Sequence, residues 1–176
     1  RTALHVAARA HAPLTVIEAL IKLQPSAVRS RDNASSTPLH LAAGGGFNHA
    51  RARSTTVHHD HIKPVNEDKR ARNIVSALVD AAPDLASSVD EANLTPLDIA
   101  IRARKWAVVE RLVEAAPGVV KRSDTMDEPL YATAVAGDAP EKILRILADA
   151  HPRDQMALPS LIKCKFYAVA TAAVTE

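Results

Sequence analysis

Four histidines lie close together in one polar stretch of the chain and could bind a metal ion. They are His49, His58, His59 and His61. Imidazole and the carboxylates of the nearby Glu67 and Asp68 are ligands for zinc or another transition metal. On an extended strand His59 and His61 would share one side. Closed zinc sites need four regularly spaced ligands, however, so we favour a solvated polar loop over a metal site here.

The same stretch is basic and contains a serine that a kinase could recognise. Between Arg51 and Arg72 six Lys and Arg side chains stand against three acidic ones, an excess of three positive charges. An acidic partner would fit this excess, but no aromatic residues interleave with the basic ones, so we expect no nucleic-acid binding. Ser54 follows "RAR" and would suit a basophilic kinase, which kinase treatment of the intact protein would test.

The composition of the chain favours a small, helical, intracellular protein. Its 176 residues suffice for one core, and 47% hydrophobic with 3% aromatic residues favours helices packed through Ala, Leu, Val and Ile. A net charge of +2 is too small to indicate nucleic acid or an anionic membrane. The single Cys164 excludes an internal disulfide and fits the cytoplasm or nucleus. No apolar run is long enough to predict a membrane segment.

Two sets of related phrases repeat along the chain. The first set is "TALHVA", "TPLHLA", "TPLDIA" and "EPLYATA", which start 35, 58 and 33 residues apart, at Thr2, Thr37, Thr95 and Glu128. The second set, such as "IVSALVDAAP", ends at Pro25, Pro83, Pro117 and Pro152, at intervals of 58, 34 and 35 residues. One long interval occurs in each set. It predicts a single insertion in the second repeat, at about 49–71, in an array with a period near 33.

The residue types predict one structural unit per repeat. Thr followed by Pro suits the N-cap and first position of a helix. The second phrases carry apolar residues at i, i+1, i+4 and i+5, as in Val16, Ile17, Leu20 and Ile21, and the closing Pro stops that second helix. In the second repeat this helix is expected to extend backward to about Glu67. Next come Asp32, Asp90 or Asp124, which favour Asx turns. The unit is therefore helix, loop, helix, turn, and such units must stack to bury their apolar faces.

The period and the "TPLHLAA" phrase resemble the ankyrin repeat over almost the whole chain. The resemblance implies an all-α, right-handed stacked solenoid with repeats at about 1–31, 32–89, 90–123 and 124–157 and a partial repeat at 158–176. Gly46 and Gly137 match the family's glycine after the first helix, whereas His11 and Arg104 stand there in two repeats, so we expect those helix ends to be less regular. The family's turn glycine is replaced by Ser35, Asn93 and Asp127.

The resemblance also implies a function, which is to bind another protein without catalysis or a cofactor. The histidines of "TPLH", His5 and His40, are structural in such repeats. The turn tips and the exposed ends of the first helices line the binding face. Here those positions are Arg9, Asn33, Ala34, Ser36, Glu91, Ala92, Leu94, Arg102, Thr125 and Met126. We expect a monomer. Two alternatives remain open: a metal-responsive or phospho-regulated loop on a binding module, and a targeting module of a longer enzyme or channel.

Overall fold

The computed structural model describes residues 1–44, 65–122 and 130–150, and in these ranges the only regular structure is helical. The helices are Ala3–Arg9 (α1), Leu14–Leu23 (α2), Pro38–Gly44 (α3), Val65–Ala81 (α4), Pro96–Arg102 (α5), Trp106–Ala115 (α6), Gly118–Arg122 (α7), Leu130–Ala136 (α8) and Glu141–Ala150 (α9). Two short 3-10 helices, Pro25–Arg29 and Pro83–Ser87, follow α2 and α4. The all-α class is confirmed. The predicted partial repeat at 158–176 lies outside the described residues.

The helices pack as pairs that contact one another in chain order. α1 packs on α2, α3 on α4, α5 on α6 and α8 on α9. Between pairs, α1, α3, α5 and α8 contact in succession and form what we call the first-helix row. Likewise α2, α4, α6 and α9 form the second-helix row. Each pair thus buries its apolar face against the next pair, because no single pair of this length can enclose a core.

Threonine and proline begin the first helices where the sequence predicts. Thr95 has extended backbone (φ −83°, ψ 163°), and its hydroxyl accepts a hydrogen bond from the Asp98 amide at 3.2 Å. Pro96 then opens α5, as Pro38 opens α3. These prolines need no amide donor at the first helical position and hold φ near its helical value. The N-cap prediction for Thr95 is therefore confirmed.

Proline ends the second helices through the residue that precedes it. α2, α4 and α6 each stop two residues before Pro25, Pro83 or Pro117. The intervening residue has left the helical region, as at Gln24, with φ −141° and ψ 80°. Steric conflict with the proline ring disfavours the helical conformation at that position. α4 begins at Val65, which confirms the backward extension and makes residues 65–71 helical rather than part of an irregular insertion.

Small side chains allow the first-helix row to pack closely. Ala8, Ala42, Ala43, Ala100 and Ala134 lie on successive first helices and are all completely buried. Larger residues from the second helices, among them Leu78 and Leu112, fill the space between the two rows. An aromatic-poor composition therefore suffices for this core, since a thin layer of alanine leaves little volume to fill.

The first helices end regularly where we expected irregularity. His11 and Arg104 adopt left-handed backbone, with φ 48° and 55°. The amides beyond them close the helix, since Ala12 N donates to Ala7 O and Lys105 N to Ala100 O, both at 3.0 Å. This is the arrangement that glycine usually supports at a helix end. The prediction was wrong because it considered only that residues other than glycine disfavour left-handed backbone.

Gly137 matches the family pattern in sequence but is not the left-handed residue at the end of α8. The left-handed residue at the end of α8 is Asp138, with φ 56°. A Cβ atom on Gly137 would lie 3.0 Å from two ring atoms of Trp106. A side chain at this position would require the ring to move by a few tenths of an ångström, so glycine allows the ring to pack closely. Gly46, the second predicted match, lies outside the described residues.

Candidate functional site

Two turns of the same design connect the helix pairs, and each is organised by one aspartate. The Oδ1 atom of Asp32 accepts hydrogen bonds from Ala34 N at 3.0 Å and Ser36 N at 3.1 Å. Oδ1 of Asp90 accepts from Ala92 N and Leu94 N, both at 2.9 Å. A carboxylate that receives two amides replaces the backbone partners that a turn lacks. The predicted Asx turns are confirmed at both positions, and Asp124 lies outside the described residues.

Each turn needs one residue in the left-handed conformation. Ser35 has φ 55° and Asn93 has φ 59°. Asparagine tolerates this region better than serine, because its short side chain can bond locally. The sequence pointed to both positions through the glycine that they replace. The third, Asp127, is outside the described residues.

The two turns are joined to each other. Glu91 N donates to the Ala34 carbonyl at 3.0 Å. Arg31 reaches from one turn to the next, since its guanidinium donates to Ser35 O at 3.1 Å and to Val89 O at 2.8 Å. We call the exposed residues Arg31, Asn33 and Glu91 the turn surface. Sequence reasoning missed Arg31, and its basic side chain one residue before the turn aspartate was the available signal.

Arg1 supports the first turn from the side. Its Nε donates to Asp32 Oδ2 at 2.9 Å, and the Asp32 side chain is almost completely buried. Burial would raise the pKa of Asp32, but the hydrogen bonds from Arg1, Ala34 and Ser36 together hold it below its ordinary value. The turn therefore keeps a charged carboxylate, which is the form that accepts these bonds.

The histidines of the "TPLH" phrases hold the helix starts together. Nδ1 of His5 accepts from the Thr2 amide at 3.1 Å, which leaves the ring proton on Nε2, 3.1 Å from the Ser36 carbonyl. His5 therefore links its own N-cap to the turn of the next repeat. His40 repeats the first half of this pattern, with Nδ1 3.2 Å from the Thr37 amide and 2.8 Å from its hydroxyl. Both rings are buried and out of reach of a substrate.

Burial sets the protonation state of His40. Loss of water around the ring lowers the pKa of His40 to about 4. The carbonyls of Leu94 and Ser88 oppose this shift only in part, and Nε2 makes no hydrogen bond of good geometry. The pKa of His5 is lowered as well, mainly by burial. Neutral imidazole is therefore the form present in the folded protein at neutral pH.

The predicted binding residues differ in exposure. Arg9, Asn33 and Glu91 are exposed, and Ala34, Ala92 and Arg102 are half-buried. Ser36 and Leu94 do not reach the surface, because they are only 1% and 2% exposed. Their amides bond to the turn aspartates, so the chain turns them inward at the end of each turn. Outside the described residues lie Thr125 and Met126, the metal candidates His49, His58, His59 and His61, and the modification candidate Ser54.

The structure brings the turn residues together but places the two arginines at a distance from them. The turns lie at the start of the first helices, whereas Arg9 and Arg102 end α1 and α5. A seven-residue helix separates these levels by roughly 10 Å. α3 stands between the two arginines and ends in Gly44 at the equivalent position. Nε of Arg102 is buried and makes no hydrogen bond to the described residues.

The left-handed residues cap the helix of the following repeat. His11 Nε2 lies 3.1 Å from Ala42 O at the end of α3, and Arg104 donates to Ala136 O at the end of α8 at 3.2 Å. The buried Lys105 places its Nζ 3.0 Å from the same His11 nitrogen. The two contacts need opposite states of this nitrogen: it donates to Ala42 O only when it carries a proton, and it accepts from a charged Lys105 only when it does not. Basic side chains at a helix C-terminus also stabilise its dipole.

Exposed ion pairs connect the second-helix row. Arg111 on α6 donates to Asp80 on α4 at 2.7 Å and to Ser76 at 3.0 Å. In the segments that follow α2 and α4, Arg29 makes two hydrogen bonds to Asp84. The Arg29 guanidinium holds the pKa of Asp84 below its ordinary value. The Arg29 pair lies in solvent and the Asp80 carboxylate is exposed, so each ion pair contributes little.

Comparisons with known proteins give the chain no family. It matches no protein-family model, and no curated protein matches it. Within the three described ranges, no three potential metal ligands come together, and no helix has the length and apolar character needed to cross a membrane.

Proposed function

We propose that this chain is a divergent ankyrin-type repeat array that binds another protein through the turn surface together with Arg9 and Arg102. The observation that carries the proposal is the hydrogen-bonded link between neighbouring turns. Asp32 and Asp90 fix each turn, and the bond from Glu91 N to Ala34 O fixes one turn against the other. The backbone beneath the exposed side chains is held in place before binding, so association need not order the turns themselves.

The charges on this surface favour a polar partner segment that carries acidic groups. Arg9 and Arg31 are exposed and Arg102 is half-buried, against the single exposed acid Glu91. Nε of Arg102 has lost its water without gaining a bond from the described residues. A partner carboxylate would supply the acceptor that this group lacks, and guanidinium groups bind carboxylates in a fixed two-point geometry.

The titratable side chains beside the turn surface already have partners within the protein. His5 and His40 are neutral, buried and bonded to the helix starts. Oδ1 of each turn aspartate accepts backbone amides, and Oδ2 of Asp32 accepts from Arg1. These features support binding rather than catalysis.

Charge reversal at the two helix-end arginines tests the proposal. The immobilised chain and its Arg9→Glu/Arg102→Glu variant would be compared for captured proteins by quantitative mass spectrometry. We expect the variant to lose its specific partner, with an affinity lower by roughly a hundredfold, because two attractive contacts become repulsive. Each substitution also removes a favourable charge from the last turn of α1 or α5, so circular dichroism must show that the variant still folds before lost capture is read as a lost contact.

Lys22→Glu is the control for each single charge reversal, because Lys22 is exposed on the second-helix row and changes the net charge by as much as one of the two arginine substitutions. A photo-crosslinking residue at Asn33 should attach to the captured partner, whereas the same residue at Lys22 should not. Undiminished capture by the double variant, or crosslinks that form equally from Lys22, would contradict the proposal.

A further inference from the structure

The guanidinium group of Arg31 is held on one side and open on the other. Its Nη1 atom donates to Ser35 O at 3.1 Å and to Val89 O at 2.8 Å. These two bonds use both N–H groups of that nitrogen. Nε and Nη2 make no hydrogen bond to the described residues, and the side chain is exposed. The group is therefore fixed in orientation, while two adjacent donors remain for a ligand.

The two remaining donors of Arg31 form one edge of a planar group. The N–H bonds of Nε and Nη2 are nearly parallel, so the two oxygens of one carboxylate can accept both of them at once. Lysine cannot make this contact, because its donors radiate from a single atom. The open edge thus fits a planar ligand that carries two oxygens.

Arg29 shows the same kind of contact already formed. Nη1 and Nη2 of Arg29 donate to the two oxygens of Asp84. Arg31, two residues further on, has no such acid. In the part of the chain that the structure describes, no carboxylate forms an ion pair with Arg31, not even Glu91 on the adjoining turn. The two neighbouring arginines therefore differ in that one already has its carboxylate and the other does not.

The charges around Arg31 favour a carboxylate over a phosphate group. Glu91 is exposed on the same turn surface, and Arg29, the nearest arginine along the chain, is already paired with Asp84. A phosphate ester carries more than one negative charge near neutral pH, and clusters of arginines usually bind it. A single unpaired guanidinium on a surface that also holds an acid matches a ligand with one negative charge.

We propose that the Nε–Nη2 edge of Arg31 binds the side-chain carboxylate of an aspartate or glutamate in the partner protein through two parallel hydrogen bonds. The inference rests on the function proposed above, because it names the group that the turn surface recognises. It also distinguishes Arg31 from Arg9. Arg9 is exposed and carries the same charge, but no hydrogen bond within the described ranges holds its guanidinium group.

Nuclear magnetic resonance of the arginine Nε–H groups tests this site on the unmodified chain. The probe is the peptide acetyl-Gly-Gly-Glu-Gly-Gly-amide, added at constant ionic strength, and each arginine signal is assigned by its loss in the corresponding lysine variant. We expect the Arg31 signal to move at least about twice as far as the Arg9 signal, because a guanidinium group that is already held loses less freedom on binding. The Arg29 signal should move less than that of Arg31, since its acid is in place.

Two further peptides distinguish the source of the bound group. One has glutamine in place of the glutamate and a free C-terminal carboxylate, and the other has phosphoserine in place of the glutamate. For each peptide the shift of the Arg31 signal is divided by that of the Arg9 signal, which cancels the effect of ligand charge on any arginine. The glutamate peptide should give the largest ratio. A larger ratio from either other peptide, or equal shifts of Arg31 and Arg9 with the glutamate peptide, would overturn the proposal.

Capture of the partner then separates this inference from the function on which it rests. Arg31→Lys keeps the positive charge but lacks the planar pair of donors, so its affinity for the captured partner should fall by about tenfold. Arg29→Lys is the matched control and should bind as the unmodified chain does, because Arg29 already faces Asp84. Equal affinities of all three chains would overturn the role of Arg31, whereas the Arg9→Glu/Arg102→Glu variant tests the proposed function without any change at Arg31. The titration decides the question even if Arg31→Lys alters the turns.

Discussion

The first-helix row with its turns and the second-helix row use polar residues in opposite ways. Along the first row, Asp90, His40 and Thr95 are buried and bond to backbone or to one another. Along the second row, Arg111 and Asp80 meet in a pair that solvent reaches. The first row therefore contains polar groups that cannot return to water without unfolding, whereas those of the second row exchange partners with water freely.

This difference indicates where the conformation of the array is determined. An unsatisfied buried donor or acceptor costs roughly 1–3 kcal/mol, whereas an exposed ion pair contributes about 0–1 kcal/mol. The turns that carry the proposed binding residues belong to the first class. Substitutions of polar residues in the first-helix row should consequently lower the free energy of unfolding several times more than those in the second-helix row.

The largest change in the free energy of unfolding is expected when the pH is lowered, because His40 then becomes protonated. Its pKa is about 4 in the folded protein, below the ordinary 6.5 of the unfolded chain, so the unfolded state binds more protons between these values. The stability that neutral His40 contributes is complete above pH 6.5 and is lost as pH falls toward 4, by about 3 kcal/mol in total. Urea unfolding at successive pH values measures this loss.

His40→Gln isolates that contribution. Glutamine at this position can still bond back to the Thr37 amide, but it does not titrate. The variant should lose less free energy of unfolding between pH 6.5 and 4, while His5 continues to contribute in the same direction. Parallel pH curves for the two proteins would show that the His40 ring is not held neutral by burial.

Removal of a turn aspartate should have the next largest effect. Asp90→Ala leaves the amides of Ala92 and Leu94 without their acceptor and should lower the free energy of unfolding by about 2 kcal/mol. Asp90→Asn keeps a side-chain oxygen and should lose less than half as much. Asp80→Ala on the second-helix row is the comparison, and urea unfolding of all three should rank it last. A loss from Asp80→Ala equal to that from Asp90→Ala would remove the distinction between the rows.

Relief of backbone strain should give a smaller, stabilising change. Ser35→Gly removes the penalty of a left-handed serine and should raise the free energy of unfolding by about 1 kcal/mol. Asn93→Gly should raise it by less than about 0.5 kcal/mol, because asparagine already tolerates this conformation. Thermal unfolding of the two variants tests the order, and the reverse order would indicate that side-chain bonds outweigh strain at these turns.

The smallest effect is expected for an ion pair of the second-helix row. Arg111→Gln removes the charge that faces Asp80 and should cost about 0.5 kcal/mol at low ionic strength. In 1 M salt the difference from the unmodified protein should largely vanish, because screening at that ionic strength acts within about 3 Å. A loss that persists undiminished in high salt would assign the role of Arg111 to packing or to its bond with Ser76.

The sequence by itself determined the features that depend on a few neighbouring residues. The repeat spacing, the helix starts at Thr-Pro, the helix ends before Pro25 and Pro83, and the Asx turns at Asp32 and Asp90 all follow from local backbone chemistry. The left-handed positions at Ser35 and Asn93 were visible for the same reason. Of the proposed binding residues, the exposed Asn33 and Glu91 lie at the tips of these turns.

Tertiary structure decided what happens between repeats. His11 and Arg104 take the place of glycine because their side chains reach carbonyls 31 and 32 residues further along the chain. Burial of Ser36 and Leu94, and the approach of Trp106 to Gly137, likewise arise only when one pair packs on another. Such contacts join residues a full repeat apart, so a pattern read within one repeat does not contain them.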